Sequence, residues 1–215
     1  MNVLVIGANG GSGRAAVKEL LAQGHTVTAF VRQAGLMPQA AGLCVMAGDV
    51  MRPEDVNRAV VGQDAVIVIL GIRENALLVR LRGAIGTPTR VRSLGTANVV
   101  DAMRRHGVRK LVVQSSFGVG DTRSRLPLKW RILFFLFLQP QIADHERQEQ
   151  LVRKCTLDWV LAQPVALTDD LDRHPPFASP SGDVRSMSIS RNRVALFLVS
   201  AATTDHHVRQ SVALS

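Results

Sequence analysis

Residues 2–31, NVLVIGANGGSGRAAVKELLAQGHTVTAFV, decide the fold. The apolar run over 2–6 reads as a buried strand, and Gly7-Ala8-Asn9-Gly10-Gly11-Ser12-Gly13 as a tight loop. Residues 12–23 read as a helix closed by Gly24, and 26–31 as a second strand. A strand, helix and parallel strand in about 30 residues is the length such a unit requires. Glycine suits the loop because the backbone must turn sharply and approach a phosphate with no Cβ in the way. The helix that follows offers free N–H groups and the positive end of its dipole to an anion. A glycine-rich turn alone is weak evidence. Strand, loop, helix and second strand together form the context that makes it a nucleotide-binding signal.

The alternation continues outward. A third strand near 43–47 ends at Gly48-Asp49, and a short helix follows Pro53, whose fixed φ suits a first helical turn. Residues 65–70 are apolar throughout, as expected of a strand covered on both faces. After an Arg-rich stretch at 72–87, a helix is expected over 88–106, with Val91, Gly95, Val99 and Ala102 along one face. Gly107 ends it, and 110–114 is strand five. A long connection over 116–139, a helix near 140–154 and a strand at 157–162 follow. Beyond a Pro- and Asp-rich loop at 168–183 come a strand at 184–189, a helix at 191–202 and a strand at 207–214. This order predicts one α/β domain over 1–215 of the Rossmann type, a doubly wound, mostly parallel sheet with helices on both faces. Residues from about 164 to 215 would complete the substrate side.

The 215 residues are 47% hydrophobic and 20% charged, which excludes wholesale disorder. The net charge of +9 is spread along the chain, and aromatics are only 4%, so it predicts an anionic cofactor and a solvated basic surface; no nucleic acid is expected. Cys44 and Cys155 are far apart and form no CxxC or metal spacing, which fits a reduced, cytoplasmic compartment, and no signal peptide is expected ahead of the first strand. The apolar run ILFFLFL, 132–138, is far short of the ~20 residues of a membrane span. The segment 126–138 is expected to pack at the acceptor site or to mediate self-association.

The second strand ends Phe30-Val31-Arg32, and the next acid is Asp49. An NAD site usually places a carboxylate there for the ribose hydroxyls, whereas a guanidinium pairs with a 2′-phosphate. Arg32 therefore predicts NADP(H). Asp49-Val50 is placed beside the adenine, although Asp49 fits a simple turn residue equally well. Gly71 is placed where the backbone passes close to ribose and pyrophosphate.

The G-x-x-G-x-x-G spacing of Gly7, Gly10 and Gly13 resembles that of the short-chain and extended dehydrogenase/reductase families. With Val31-Arg32, Gly48-Asp49-Val50, residues 62–68, Gly71, residues 95–100, His106-Gly107-Val108, Ser115-Ser116, Leu157-Asp158-Trp159 and Pro164, the chain resembles the atypical short-chain dehydrogenase/reductases. That group contains the NAD(P)H-binding, NmrA-like and flavin reductase/biliverdin-IXβ reductase proteins. The resemblance covers about 1–168 and implies a single nucleotide-binding domain, NADP(H), and hydride transfer to a planar acceptor such as a flavin, quinone or tetrapyrrole. Some members of such a family only sense the nucleotide. The sequence departs from the reductase pattern at 73–83 and 122–141.

The chain contains no tyrosine, so the Tyr-x-x-x-Lys proton relay of short-chain dehydrogenases is impossible. Reduction of a flavin-like ring needs no protein acid, because solvent can protonate the product. Ser115 and Ser116 end strand five at the ligand edge of the sheet, and Ser116 matches the serine that the resemblance places in the reductase pocket. Backbone groups of Pro164-Val165 are expected to hold the nicotinamide carboxamide. His145 and Glu149, four apart on a helix, share a face; His145 would titrate near neutrality with Glu149 orienting it. The catalytic candidates are thus Ser116 and His145, with no metal. The cofactor candidates are Gly7, Asn9, Gly10, Gly11, Ser12, Gly13, Arg32, Asp49, Val50, Gly71, Ser115 and Pro164. Two functions remain open: an NADPH-dependent reductase of a planar acceptor, and a non-catalytic NADP(H)-sensing regulator.

Overall fold

The computed structural model describes residues 1–71, 88–126 and 139–215. Strand β1 (Asn2–Ile6) leads into helix α1 (Gly11–Ala22) and strand β2 (Thr26–Val31). Then come β3 (Leu43–Ala47), α2 (Pro53–Val60), β4 (Ala65–Val68), α3 (Val91–His106) and β5 (Lys110–Gln114). Helix α4 (Gln139–Lys154), β6 (Asp158–Pro164), β7 (Ala166–Thr168), β8 (Ala178–Ser179), β9 (Ser188–Ser190), α5 (Arg191–Thr203) and β10 (Gln210–Leu214) complete the chain. One sheet runs in the order β3-β2-β1-β4-β5-β6-β10-β8, parallel except for β8 against β10. This is the doubly wound fold that the alternation predicts, with its strand order reversing at β1 and β4.

Both faces of the sheet are buried because the pleat sends alternate side chains to opposite sides. Val3 and Val5 join α1 and α5 residues such as Val17, Leu20 and Leu198 in one core; Leu4 and Ile6 join Val56, Val99 and Met103 of α2 and α3 in the other. Pro53 stands in the first turn of α2, and Gly107 closes α3 at φ 71°. A methyl group on Gly95 would lie 3.0 Å from Val50 and 2.9 Å from Leu70, so this glycine lets α3 press onto the loops that follow β3 and β4.

The C-terminal third differs from its sequence reading. Strand β6 extends through Pro164, and the supposed loop at 168–183 contains β8. The strand placed at 184–189 is β9, three residues long, which pairs with β7 in a separate two-stranded sheet. These pieces are too short for a periodicity to show; partners distant in the chain fix them. The apolar run at 132–138 lies outside the described residues, as does the Arg-rich stretch at 72–87. Among the described residues, no helix is long and apolar enough to cross a membrane.

Gly7 has φ 84°, and a methyl group there would lie 2.1 Å from the Ile69 carbonyl oxygen. Gly10 has φ −74°, ordinary for any residue, and its nearest neighbour would be Gly7 O at 3.4 Å. Gly7→Ala should therefore destabilise the protein by about 2–4 kcal/mol in urea unfolding, from backbone strain and overpacking. Gly10→Ala should cost at most about 1 kcal/mol, the value of a changed helix cap.

Candidate functional site

The crevice where the strand order reverses opens into a cleft of about 1310 Å³. One end is built by the turn from β1 into α1. The Gly7 N–H donates to Phe30 O (3.3 Å) and the Gly10 N–H to Gly7 O (3.1 Å), which fixes the loop between β1 and β2. Arg14 clamps Asn9, its Nε and Nη2 donating to Oδ1 at 3.1 and 2.5 Å. Gly10 caps α1 with no side-chain hydrogen bond, and no acid stands in the first turn, so the helix end keeps its affinity for an anion. Gly7, Asn9, Gly10, Gly11 and Ser12 line the cleft, with Arg32, Asp49, Val50 and Gly71 on its flank.

Gly13 is the exception among the expected cofactor residues. It does not line the cleft; a Cβ there would lie 2.3 Å from Gly7 O and 2.8 Å from Ala8 Cα. Its role is close packing of α1 beneath the loop. Asp49 lines the cleft but is also a turn residue, its Oδ1 accepting from the Met51 N–H at 2.9 Å. Asn98 Nδ2 donates to Val50 O (2.9 Å) and ties this flank to α3.

The other end of the cleft is lined by Ser115, Ser116, His145 and Pro164. Ser116 Oγ donates to Phe117 O at 3.2 Å, leaving its lone pairs to accept. Pro164 reaches the cleft as the last residue of β6, and two of the backbone groups near it already have a partner. Its carbonyl accepts from the Phe117 N–H (2.8 Å), and the Val165 N–H donates to Leu214 O (3.1 Å).

His145 differs from its sequence reading in two ways. Glu149, on the same helix, is fully buried and turned to the protein: it accepts from Gln163 Nε2 at 2.9 Å and pairs with Arg153 at 3.0 Å. The neighbour that meets His145 Nδ1 is Ser115 Oγ, at 3.4 Å. Nor does the ring titrate near neutrality. Solvent reaches only part of it, and enclosure by protein pushes its pKa down to about 3; the positive charge of Arg92 acts in the same direction and the Gln148 side chain opposes them. At pH 7 His145 is a neutral imidazole, able to donate or accept one hydrogen bond but not to act as an imidazolium acid.

Two arginines on the cleft wall had no place in the sequence reading. Arg191 begins α5, and its side chain lies against Gly11, where a Cβ would be 2.7 Å from its Cδ; its Nη1 pairs with Asp169 at 2.6 Å. Arg92 stands in the first turn of α3, 5% exposed. The sequence signal common to both is a cation in the first turn of a helix, where the dipole disfavours it.

A family model described as NAD(P)H-binding matches residues 7–205. The chain belongs to that NAD(P)H-binding oxidoreductase family. An uncharacterised chloroplastic protein of Arabidopsis thaliana is 30% identical over 205 residues, 93% of this chain and 71% of the relative. Other curated relatives carry reductase names, and the chain spans only about a third of their length, 33% and 38% in two of them. A short-chain dehydrogenase/reductase of Veillonella parvula solved with NADP superposes with a TM-score of 0.82 at 17% identity, over 100% of this chain and 94% of the other. ChuY, an anaerobillin reductase from Escherichia coli O157:H7, superposes with a TM-score of 0.77 at 20% identity, over 100% and 96% of the two chains. At these identities the superpositions establish the fold alone.

The lowered pKa of His145 has a consequence for stability. The unfolded chain takes up a proton near the ordinary pKa of 6.5, the folded protein only near 3, so stability falls as pH drops below 6.5. Between pH 7 and pH 5 the wild type should lose about 2 kcal/mol more than His145→Gln, measured by urea unfolding of the nucleotide-free proteins. Equal losses would mean that the ring is protonated in the folded state.

Proposed function

We propose that the protein is an NADPH-dependent reductase of a planar acceptor such as a flavin, quinone or linear tetrapyrrole. The observation that carries this reading is the continuity of the cleft. It joins the glycine loop and Arg32 at one end to Ser115, Ser116 and His145 at the other. Its volume of about 1310 Å³ exceeds the ~300–1000 Å³ of ordinary small-molecule pockets, leaving room for a nucleotide and a second ring system.

The residues fit a dinucleotide. Among the described residues, only the oxygen of Gly7 comes within 4 Å of a Cβ at Gly10, and nothing does at Gly71, so the glycines at both positions suit an occupant of the cleft. Gly10, Gly11 and Ser12 would hold the phosphates at the uncapped end of α1, and Arg32 the 2′-phosphate, where a carboxylate would repel it. Bound there, NADPH supplies a hydride, and the two-electron reduction is completed by one proton at the acceptor.

The chain's own residues position the acceptor and manage that proton. Ser116 Oγ has lone pairs facing the cleft edge, and Ser115 Oγ is held by the neutral His145 ring. With no tyrosine in the chain and a neutral histidine, no strong protein acid faces this end among the described residues, so the proton comes from solvent through these hydroxyls. That suits a ring whose reduced form is readily protonated and argues against ketone or alcohol substrates. The anaerobillin reductase name of one fold neighbour is in keeping with this class.

NADPH oxidation should be measured against FMN, riboflavin, menadione and biliverdin. Turnover with at least one is expected; NADPH binding without turnover on any would instead identify a nucleotide sensor. Arg32→Asp should weaken NADPH binding about tenfold to a hundredfold, the value of one lost charge-assisted contact, and leave NADH binding nearly unchanged. Equal losses for both nucleotides would remove Arg32 from the 2′-phosphate site.

A further inference from the structure

Arg92 is a buried cation whose side-chain donors are only partly matched among the described residues. Among the described residues, neither Nε nor Nη1 meets a hydrogen-bond acceptor, although both are shielded from water. An orphaned buried donor is destabilising, more so when it is charged. The position adds to the cost, because the first turn of a helix carries the positive end of its dipole.

The one nearby carboxylate does not resolve this. Asp144, fully buried on α4, accepts from the Arg92 backbone N–H (3.0 Å) with Oδ2. Its Oδ1 accepts from Ser93 N (3.3 Å) and Ser93 Oγ (2.5 Å). Asp144 therefore caps α3 from a neighbouring helix. Its charge steadies the guanidinium from a distance, but it makes no ion pair with it among the described residues. Burial pushes the Arg92 pKa down and Asp144 pulls it back, and a guanidinium keeps its proton at neutral pH.

Arg92 also forms part of the cleft wall, at the end that holds Ser115, Ser116 and His145. The glycine loop and Arg32 lie at the opposite end, where the dinucleotide phosphates are assigned. A buried cation with unmet donors at the acceptor end calls for an anion that arrives with the acceptor. Such a pairing in a partly dry site is worth more than one in water.

We propose that Arg92 is a specificity-determining residue that binds an anionic oxyacid group, a carboxylate or a phosphate, carried by the acceptor. The inference rests on the reductase reading for the identity of the occupant, and it narrows the planar acceptors to those with an acidic side arm. The guanidinium offers charge-assisted N–H donors to the oxygens of such a group. A neutral quinone would leave the charge unmatched and bind weakly.

Two probe pairs test this on NADP+-saturated protein: FMN against riboflavin, and biliverdin against its dimethyl ester. Dissociation constants are measured by fluorescence quenching for the wild type, Arg92→Met and Arg92→Lys, with NADPH oxidation recorded separately. The wild type should bind the anionic member of at least one pair about tenfold to a hundredfold more tightly than its neutral partner. Arg92→Met should erase that preference and Arg92→Lys retain part of it, with NADP+ affinity unchanged in both. A preference confined to FMN assigns a phosphate, and one confined to biliverdin a carboxylate. Equal affinities within both pairs, no binding of any probe, or a preference that survives in Arg92→Met overturns the proposal. So does an equal loss of NADP+ affinity, which would assign the guanidinium to the dinucleotide. If Arg92→Met does not fold, a wild-type preference that is undiminished in Arg92→Lys is the overturning result. Anion preference without NADPH oxidation keeps the Arg92 site and removes the reductase reading; oxidation without preference does the reverse.

Discussion

The turn out of β1 passes against the backbone that leaves β4, and the site depends on that contact. Gly7 lies so close to the Ile69 carbonyl that no side chain fits between them. Because β1 continues into α1 on one side of the sheet while β4 leads toward α3 on the other, the chain parts at this point. The parting leaves a cleft along the carboxyl ends of the strands. Gly13 holds α1 down on the same turn, since a Cβ there would strike the oxygen and backbone of Gly7 and Ala8. Two glycines thus serve the protein's own packing, whereas Gly10 meets little but the cleft.

The cleft is electrically asymmetric in a way that its shape alone does not show. At the loop end, positive potential comes from backbone N–H groups and from arginines near solvent. At the far end it comes from Arg92, which is enclosed. The same enclosure keeps His145 neutral, and the two effects reinforce one another, since a second positive charge beside Arg92 is disfavoured. Among the described residues, the far end therefore carries a buried positive charge and is poorly suited to donating a proton as an acid. Both properties follow from α3 and α4 packing together through Ser93–Asp144 and Thr96–Gln148.

That packing explains why Glu149 is not a partner of His145. Helix α4 turns one side to the cleft and another to β6, and residues four apart on a helix still differ by about 40° in direction. His145 falls on the cleft side. Glu149 falls inward, where Gln163 and Arg153 satisfy it. Spacing on a helix identifies neighbours along a face, but not which neighbour the rest of the protein claims.

The sequence by itself determined the parallel sheet, the nucleotide loop and the exclusion of a tyrosine relay. Those features are written in local patterns: an apolar strand, glycines at fixed spacing, an amphipathic helix, and the identity of the residue after β2. The family match takes in those segments and continues far beyond them, over residues 7–205. Only the tertiary structure decided the short strands β7, β8 and β9, the protonation of His145, and the burial of Arg92. Each depends on groups far apart in the chain, such as Arg92 and Asp144, which are 52 residues apart. An arginine in a sequence reads as a surface charge because most are solvated. Whether its donors find acceptors is settled only when the elements around it have packed.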